Sequence, residues 1–191
     1  FEMSSKKKLS GVILSALFAA LICAGCFIQI PLPGGVPVVL QDMMAMLTGM
    51  LLGPVYGTAA VFVFLVLGSI GLPVFSGKAG FSVILAGPTG GFLVGYLLSA
   101  FAAGIFLSLL LSNKKDHSNT KAWLLITAAA LLATVVVFVC GIIGFMRVTH
   151  AGIAKTLSAV LVPFIPGNII KIIVMVPLVK KLRPLIYNYI G

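Results

Sequence analysis

The stretch PFIPGNIIK, residues 163–171, holds the most chemically pointed pattern in the chain. Pro166 and Gly167 are expected to interrupt a helix, and Asn168 then stands as an N-cap for the next helical run. Lys171 lies three residues on, which places it on the same helix face as Asn168. A broken helix start carries partial positive charge, and an amide and an ammonium beside it suit an anion or a polar ligand. A lysine inside an apolar span costs about 2.5–3.5 kcal/mol at the bilayer centre. It therefore needs a partner, a cavity or an escape to the headgroups by snorkelling, and the ligand site is the favoured reading.

Other polar residues are few. Gln41 and Asp42 open an apolar run, where Gln41 has the groups to hydrogen-bond a ligand. Asp42 is expected to neutralise Lys171 or Arg147, or to sit at the membrane interface. GLPVFSGK, residues 71–78, looks like a phosphate loop only at first sight. A phosphate loop has four residues between its glycines and Ser or Thr after the lysine, whereas Ala79 follows Lys78 and the glycines are too far apart. Cys23 and Cys26 have redox spacing but lie in an apolar run without a basic neighbour, and with Cys140 they read as small buried residues. His117 and His150 are isolated, so a metal site has no support. Three acids in the whole chain cannot assemble a hydrolytic set. No catalytic residue, cofactor or enzymatic activity is expected.

These residues sit in a chain of 191 residues that is 61% hydrophobic and 8% charged, with a mean hydropathy of +1.24. A soluble domain needs more polar surface than that. Long continuous apolar runs of about 20 residues indicate an all-α integral membrane protein rather than a barrel. Six transmembrane helices are expected, at about 9–29, 38–52, 55–72, 89–111, 123–145 and 160–182, with a short apolar piece at 81–86. A Gly-Pro turn at 53–54 separates the second and third. Residues 1–8 form an N-terminal segment, 9–183 the six-helix domain and 184–191 a C-terminal tail. Phe1 to Met3 read as a remnant ahead of the start, and the first apolar run is too long for a signal peptide.

The net charge of +10 does not indicate nucleic acid, because the basic residues cluster at span ends. Lys6, Lys7, Lys8, Lys114, Lys115, Lys121, Lys180, Lys181 and Arg183 share one side with both termini; Lys78, Arg147 and Lys155 fall on the other. The positive-inside rule makes the first side cytoplasmic. The loops at 30–37, 73–88 and 146–159 then face outward. Outer loops rich in Gly and Pro can fold back between helices over a cavity. Two stripes of small residues permit close helix approach: Ala16, Ala20 and Ala24, as readily a face for another membrane protein as internal packing, and Gly91 with Gly95, read as internal packing.

In order along the chain, PLP before Gln41, LLGPVYG, GLPVFSG, GPTGG and PFIPGNIIK resemble the BioY family, over about residues 10–185. BioY proteins are biotin-binding S components of energy-coupling factor (ECF) transporters. There are two departures: Asn168 stands where the family pattern has an acid, and Lys78 with Ala79 interrupts a glycine-rich loop.

The resemblance implies a protein of a prokaryotic cell membrane, S-component-like in fold, that binds biotin between its outer loops and spans four to six. It implies Asn168 at the ureido group, Lys171 at the ureido oxygen or the carboxylate, and Lys78 and Arg147 as further cations for the carboxylate. Gln41 and Ser76 join as polar contacts. Phe75, Phe81 and Tyr96 would pack on the bicyclic ring, with Gly77, Gly87, Gly90 and Gly91 allowing close backbone approach. The implied partners are a coupling membrane subunit, reached through Ala16, Ala20 and Ala24, and two ATPase subunits that hydrolyse the ATP. The alternatives are an S component for a different vitamin and a self-sufficient small membrane carrier.

Overall fold

A computed structural model of the chain describes residues 2–30, 36, 38–111 and 119–190. Among these residues the architecture is helical apart from one short ribbon. Five helical segments among the described residues are long and apolar enough to cross a membrane.

Helix α1 (Glu2–Ala24) runs through the three lysines and ends in a 3-10 turn, Gly25–Phe27. Strand β1 (Gln29–Ile30) pairs antiparallel with β2 (Val38–Val39), with Gln29 opposite Val39. The apolar runs place Gln29 in the first span and Val38 in the second, with a loop at 30–37 that lies mostly outside the described residues; Gln29 and Val38 instead belong to this ribbon, which leads to the start of α2.

Helix α2 (Gln41–Ser69) contains one non-helical residue, Gly53, with φ 77° and ψ −175°. Only glycine takes that conformation without strain. The chain reverses there: a Cβ on Gly57 would stand 2.7 Å from the Gly49 Cα, an approach that a straight helix cannot make across eight residues. The two arms, 41–52 and 54–69, therefore lie side by side, and Pro54 opens the second arm, where its missing N–H costs nothing. The expected Gly-Pro turn is present.

Helix α3 (Phe81–Ala86) is short and has no buried residue. Helix α4 (Gly90–Leu110) packs on both arms of α2, with Gly104 close to Pro54, and on α5 (Asn119–Thr149). The expected internal role of Gly91 and Gly95 holds, since Gly91 meets Gly144 and Gly95 meets Val137 and Cys140. Helix α6 (Ile153–Val160) occupies much of the segment expected as a loop at 146–159. Thr156 and Val160, one turn apart, bury its inner face. A 3-10 turn, Val162–Phe164, leads into α7 (Ile165–Ile190), which continues through the residues expected as a C-terminal tail.

The two ends of the bundle differ. One end carries the Gly53 reversal. There Arg183 is buried and donates to the Met50 carbonyl at 2.6 Å, satisfying an acceptor that the end of a helical arm leaves open. Lys180 lies 4.3 Å from the centre of the Trp123 ring near the same end. The opposite end, the loop end, holds β1, β2, the 70–80 loop, α3 and α6. Between them Phe64, Met46, Met50, Leu51, Leu107, Met175 and Val179 are fully buried, while Val12, Ile13, Leu109, Ile143 and Ile173 are exposed. A helical bundle that turns large aliphatic side chains outward is matched to hydrocarbon rather than water.

Candidate ligand-binding site

At the loop end, α2 and α7 are joined by a buried ion pair. Lys171 Nζ lies 2.7 Å from Asp42 Oδ1 and 2.8 Å from Oδ2, and it also donates to the Val39 carbonyl at 2.7 Å. Asp42 Oδ1 accepts from the Met43 backbone N–H at 2.7 Å as well. The local fold makes this arrangement. The β1–β2 ribbon ends one residue before α2 begins, so the Val39 carbonyl and the Asp42 side chain project together toward α7. Two charges are costly in a nonpolar interior unless paired and hydrogen-bonded, and this pair meets both conditions.

Gln41 sits beside it and is almost fully buried. Its amide donates to Ile22 O (3.1 Å) on α1 and to Val74 O (2.8 Å) in the 70–80 loop. That loop closes with a tight turn: Phe75 and Lys78 exchange both backbone hydrogen bonds at 3.0 Å. The two residues between them, Ser76 (φ 51°) and Gly77 (φ 81°), both take positive φ, as this class of two-residue hairpin turn requires. Phe75 is thereby driven inward against Phe64, with ring centroids 5.5 Å apart.

Beneath this loop is a narrow cavity. Phe75, Phe92, Tyr96, Phe138 and Phe164 form its aromatic walls, and Gln41, Asp42, Ser76 and Thr89 supply its polar groups. Phe92 and Phe164 are stacked at 6.4 Å, and Phe138 meets both edge-on at 6.0 Å. Apolar walls with a few placed polar groups are what a small amphipathic ligand needs.

The structure divides the expected site residues. It brings Gln41, Phe75, Ser76 and Tyr96 together in the cavity wall. Lys171 and Asn168 stand immediately behind the lining, Lys171 through Asp42 and Asn168 through a 2.9 Å bond from its amide to the Phe164 carbonyl. Asn168 is not an N-cap. The helix begins at Ile165, because Pro166 in the first turn forgoes a donor that has no intrahelical partner anyway. Gly77 and Lys78 are exposed at the turn, and Phe81 is 57% exposed on α3.

Gly87, Gly90, Gly91 and Arg147 line a different, more open cleft between α3, α4 and α5, with Ile84, Leu85, Val94, Cys140, Ile143, Gly144 and Val148. Ala16, Ala20 and Ala24 are all exposed along α1, whereas the neighbouring Ala19 is buried, so the stripe faces outward. Cys23, Cys26 and Cys140 are free thiols.

Phe92, Thr89, Phe138 and Phe164 are not marked out by sequence. The aromatic residues carry no local signal that separates a cavity wall from ordinary core. Asp42 does carry one: it is the single acid beside an apolar span in a chain with one lysine deep inside another.

A family model described as the BioY family matches residues 3–188. A protein of Thermotoga maritima named biotin transporter BioY is 37% identical over 174 residues, which span 91% of this chain and 96% of that one. One of the same name from Lactococcus lactis subsp. cremoris is 34% identical over 185 residues, 95% of this chain and 94% of the other. A solved crystal structure of the S-component for biotin from an ECF-type ABC transporter superposes with a TM-score of 0.80 at 34% identity, covering 93% of this chain and 92% of that one.

Proposed function

The chain belongs to the BioY family, and from that premise we propose that it is the biotin-binding S component of an ECF-type vitamin importer. The observation that carries this reading is the aromatic cavity under the 70–80 loop, with the Asp42–Lys171 pair at its edge. Biotin presents a flat bicyclic ring and an apolar chain, which suit walls of Phe75, Phe92, Tyr96, Phe138 and Phe164. Its ureido group needs donors and acceptors at one end of such a pocket, where Gln41, Asp42 and Ser76 stand. Asn168 and Lys171 support that end from behind. The carboxylate is met by Lys78 at the mouth, since Arg147 lines the separate cleft on the other side of α4.

The protein crosses the membrane six times, counting the two arms of α2 separately, with both termini in the cytoplasm of a prokaryotic cell. The basic residues at the Gly53 end support that orientation. The loop end then captures biotin from outside. The chain itself hydrolyses nothing; a coupling membrane subunit and two ATPase subunits supply the energy. The exposed Ala16, Ala20 and Ala24 stripe on α1 supports close docking of the coupling subunit's helices.

Calorimetric titration of the detergent-solubilised protein tests the reading, with thiamine and riboflavin as controls. Tight one-to-one binding of biotin alone is the expected result. Binding of another vitamin, or none by well-folded protein, would reject it.

A further inference from the structure

The arrangement of the ion pair distinguishes two roles within it. Lys171 has three ammonium protons, and it faces three acceptors at 2.7–2.8 Å: Asp42 Oδ1, Asp42 Oδ2 and Val39 O. It does not line the cavity; Asp42 does. A carboxylate offers about four lone-pair positions. Among the described residues, three of them are engaged, by Lys171 at both oxygens and by the Met43 N–H at Oδ1. One position remains, on Oδ2, and Asp42 shares the cavity wall with Phe75, Ser76 and Tyr96. The amide N–H donors of Asn168 and Gln41 are engaged, by Phe164 O for Asn168 and by Ile22 O and Val74 O for Gln41.

We propose that Asp42 is a specificity-determining residue that accepts a hydrogen bond from an N–H donor on the ligand's ring, while Lys171 acts as a positioning residue that holds the Asp42 carboxylate in place. The proposal rests on the biotin reading, in which that donor is a ureido N–H. It assigns to α2 the acceptor that the helix-face pattern of Asn168 and Lys171 would put on α7. A cation whose protons are all engaged cannot also bind the ligand carboxylate, so that end of the ligand points away from the pair. An N–H donor bonded to an ionised, buried acceptor is also a strong basis for rejecting rings that lack it, because the carboxylate is then left short of a partner.

The test compares biotin with an analogue methylated on both ureido nitrogens, in the wild-type protein and in Asp42→Asn/Lys171→Met. The double substitution removes both charges together, so neither is left buried alone. The wild-type protein is expected to prefer biotin by about 10- to 100-fold, the value of a hydrogen bond to a charged group. The double variant is expected to bind both ligands weakly with little preference. If it keeps the wild-type preference, the ureido N–H is read elsewhere and the assignment is wrong. If folded wild-type protein binds neither ligand, the biotin reading falls and the assignment with it.

A second measurement needs no change at the pair. The chain has two aspartates, Asp42 and Asp116. In Asp116→Asn protein labelled with carbon-13 at the aspartate carboxyl, the labelled infrared carboxylate band belongs to Asp42 alone. Biotin should shift that band and the methylated analogue should not. A band that ignores bound biotin would overturn the proposal.

Discussion

Gly91 of α4 and Gly144 of α5 face each other so closely that a Cβ on Gly91 would stand 2.8 Å from the Gly144 Cα. Without a hydrophobic drive between helices in lipid, close backbone packing is a main source of their association. A side chain at this crossing must push the helices apart. Gly91→Ala is expected to destabilise the protein by about 1–3 kcal/mol, the usual range for overpacking a well-filled interior. Unfolding in mixed micelles measures it. A variant as stable as the wild type would mean that the two helices separate freely and that the contact contributes little.

The ion pair makes a different prediction, because its members are costly only when separated. Lys171→Met leaves Asp42 buried without a counter-charge and should destabilise by about 3–5 kcal/mol. Asp42→Asn alone should do similar harm by stranding the lysine. The double variant Asp42→Asn/Lys171→Met should recover most of the loss, since paired buried charges are often close to neutral against an uncharged replacement. Additive losses in the same unfolding measurement would show that the two side chains do not depend on one another.

Gln41 links three pieces of chain: its own helix, α1 through Ile22 O and the 70–80 loop through Val74 O. Gln41→Leu keeps the bulk but orphans two carbonyls, at about 1–3 kcal/mol for each that stays buried. The looser partner should give way first, and that is the loop. Amide exchange at residues 70–80 should accelerate more than in α4, and bound biotin should dissociate faster. Uniform acceleration across the protein would instead assign Gln41 to global stability.

Much of the architecture is legible in the sequence because hydrocarbon length and glycine geometry act locally. The Gly53–Pro54 reversal, the short helix at 81–86 and the packing role of Gly91 and Gly95 all depend on a residue and its near neighbours. The start of α7 is not, because Pro166 and Gly167 look like a break, whereas a proline in a first turn fits a helix as well as it ends one. Helix α6 escapes notice because Ile153–Val160 lies in a segment too short and polar to register as a span. The candidate site is legible in outline only. Gly87, Gly90, Gly91 and Arg147 have the right types, yet they line the cleft toward α5 and α3, while Phe92, Leu93 and Tyr96 line the cavity on the other side of α4. Which side of a helix meets which cavity is fixed by packing between distant elements. The same holds for Asp42 and Lys171, 129 residues apart in sequence and in contact at 2.7 Å.

The docking role proposed for the exposed stripe on α1 would separate binding from transport. Ala16, Ala20 and Ala24 lie one turn apart on an outward face, while Ser15 on the inward side bonds the Tyr56 carbonyl at 2.9 Å and Ile22 is fully buried. Large side chains at Ala16 and Ala20 therefore meet lipid rather than the core, and the fold should accept them. They would, however, hold another helix several ångströms away, which removes the close packing that small residues allow. Ala16→Trp/Ala20→Trp is expected to bind biotin like the wild-type protein in calorimetry and to fail in ATP-dependent uptake by proteoliposomes containing the coupling subunit and ATPases. Loss of biotin binding together with uptake would show that the stripe supports the fold after all. Uptake at the wild-type rate would show that the coupling subunit docks on another face.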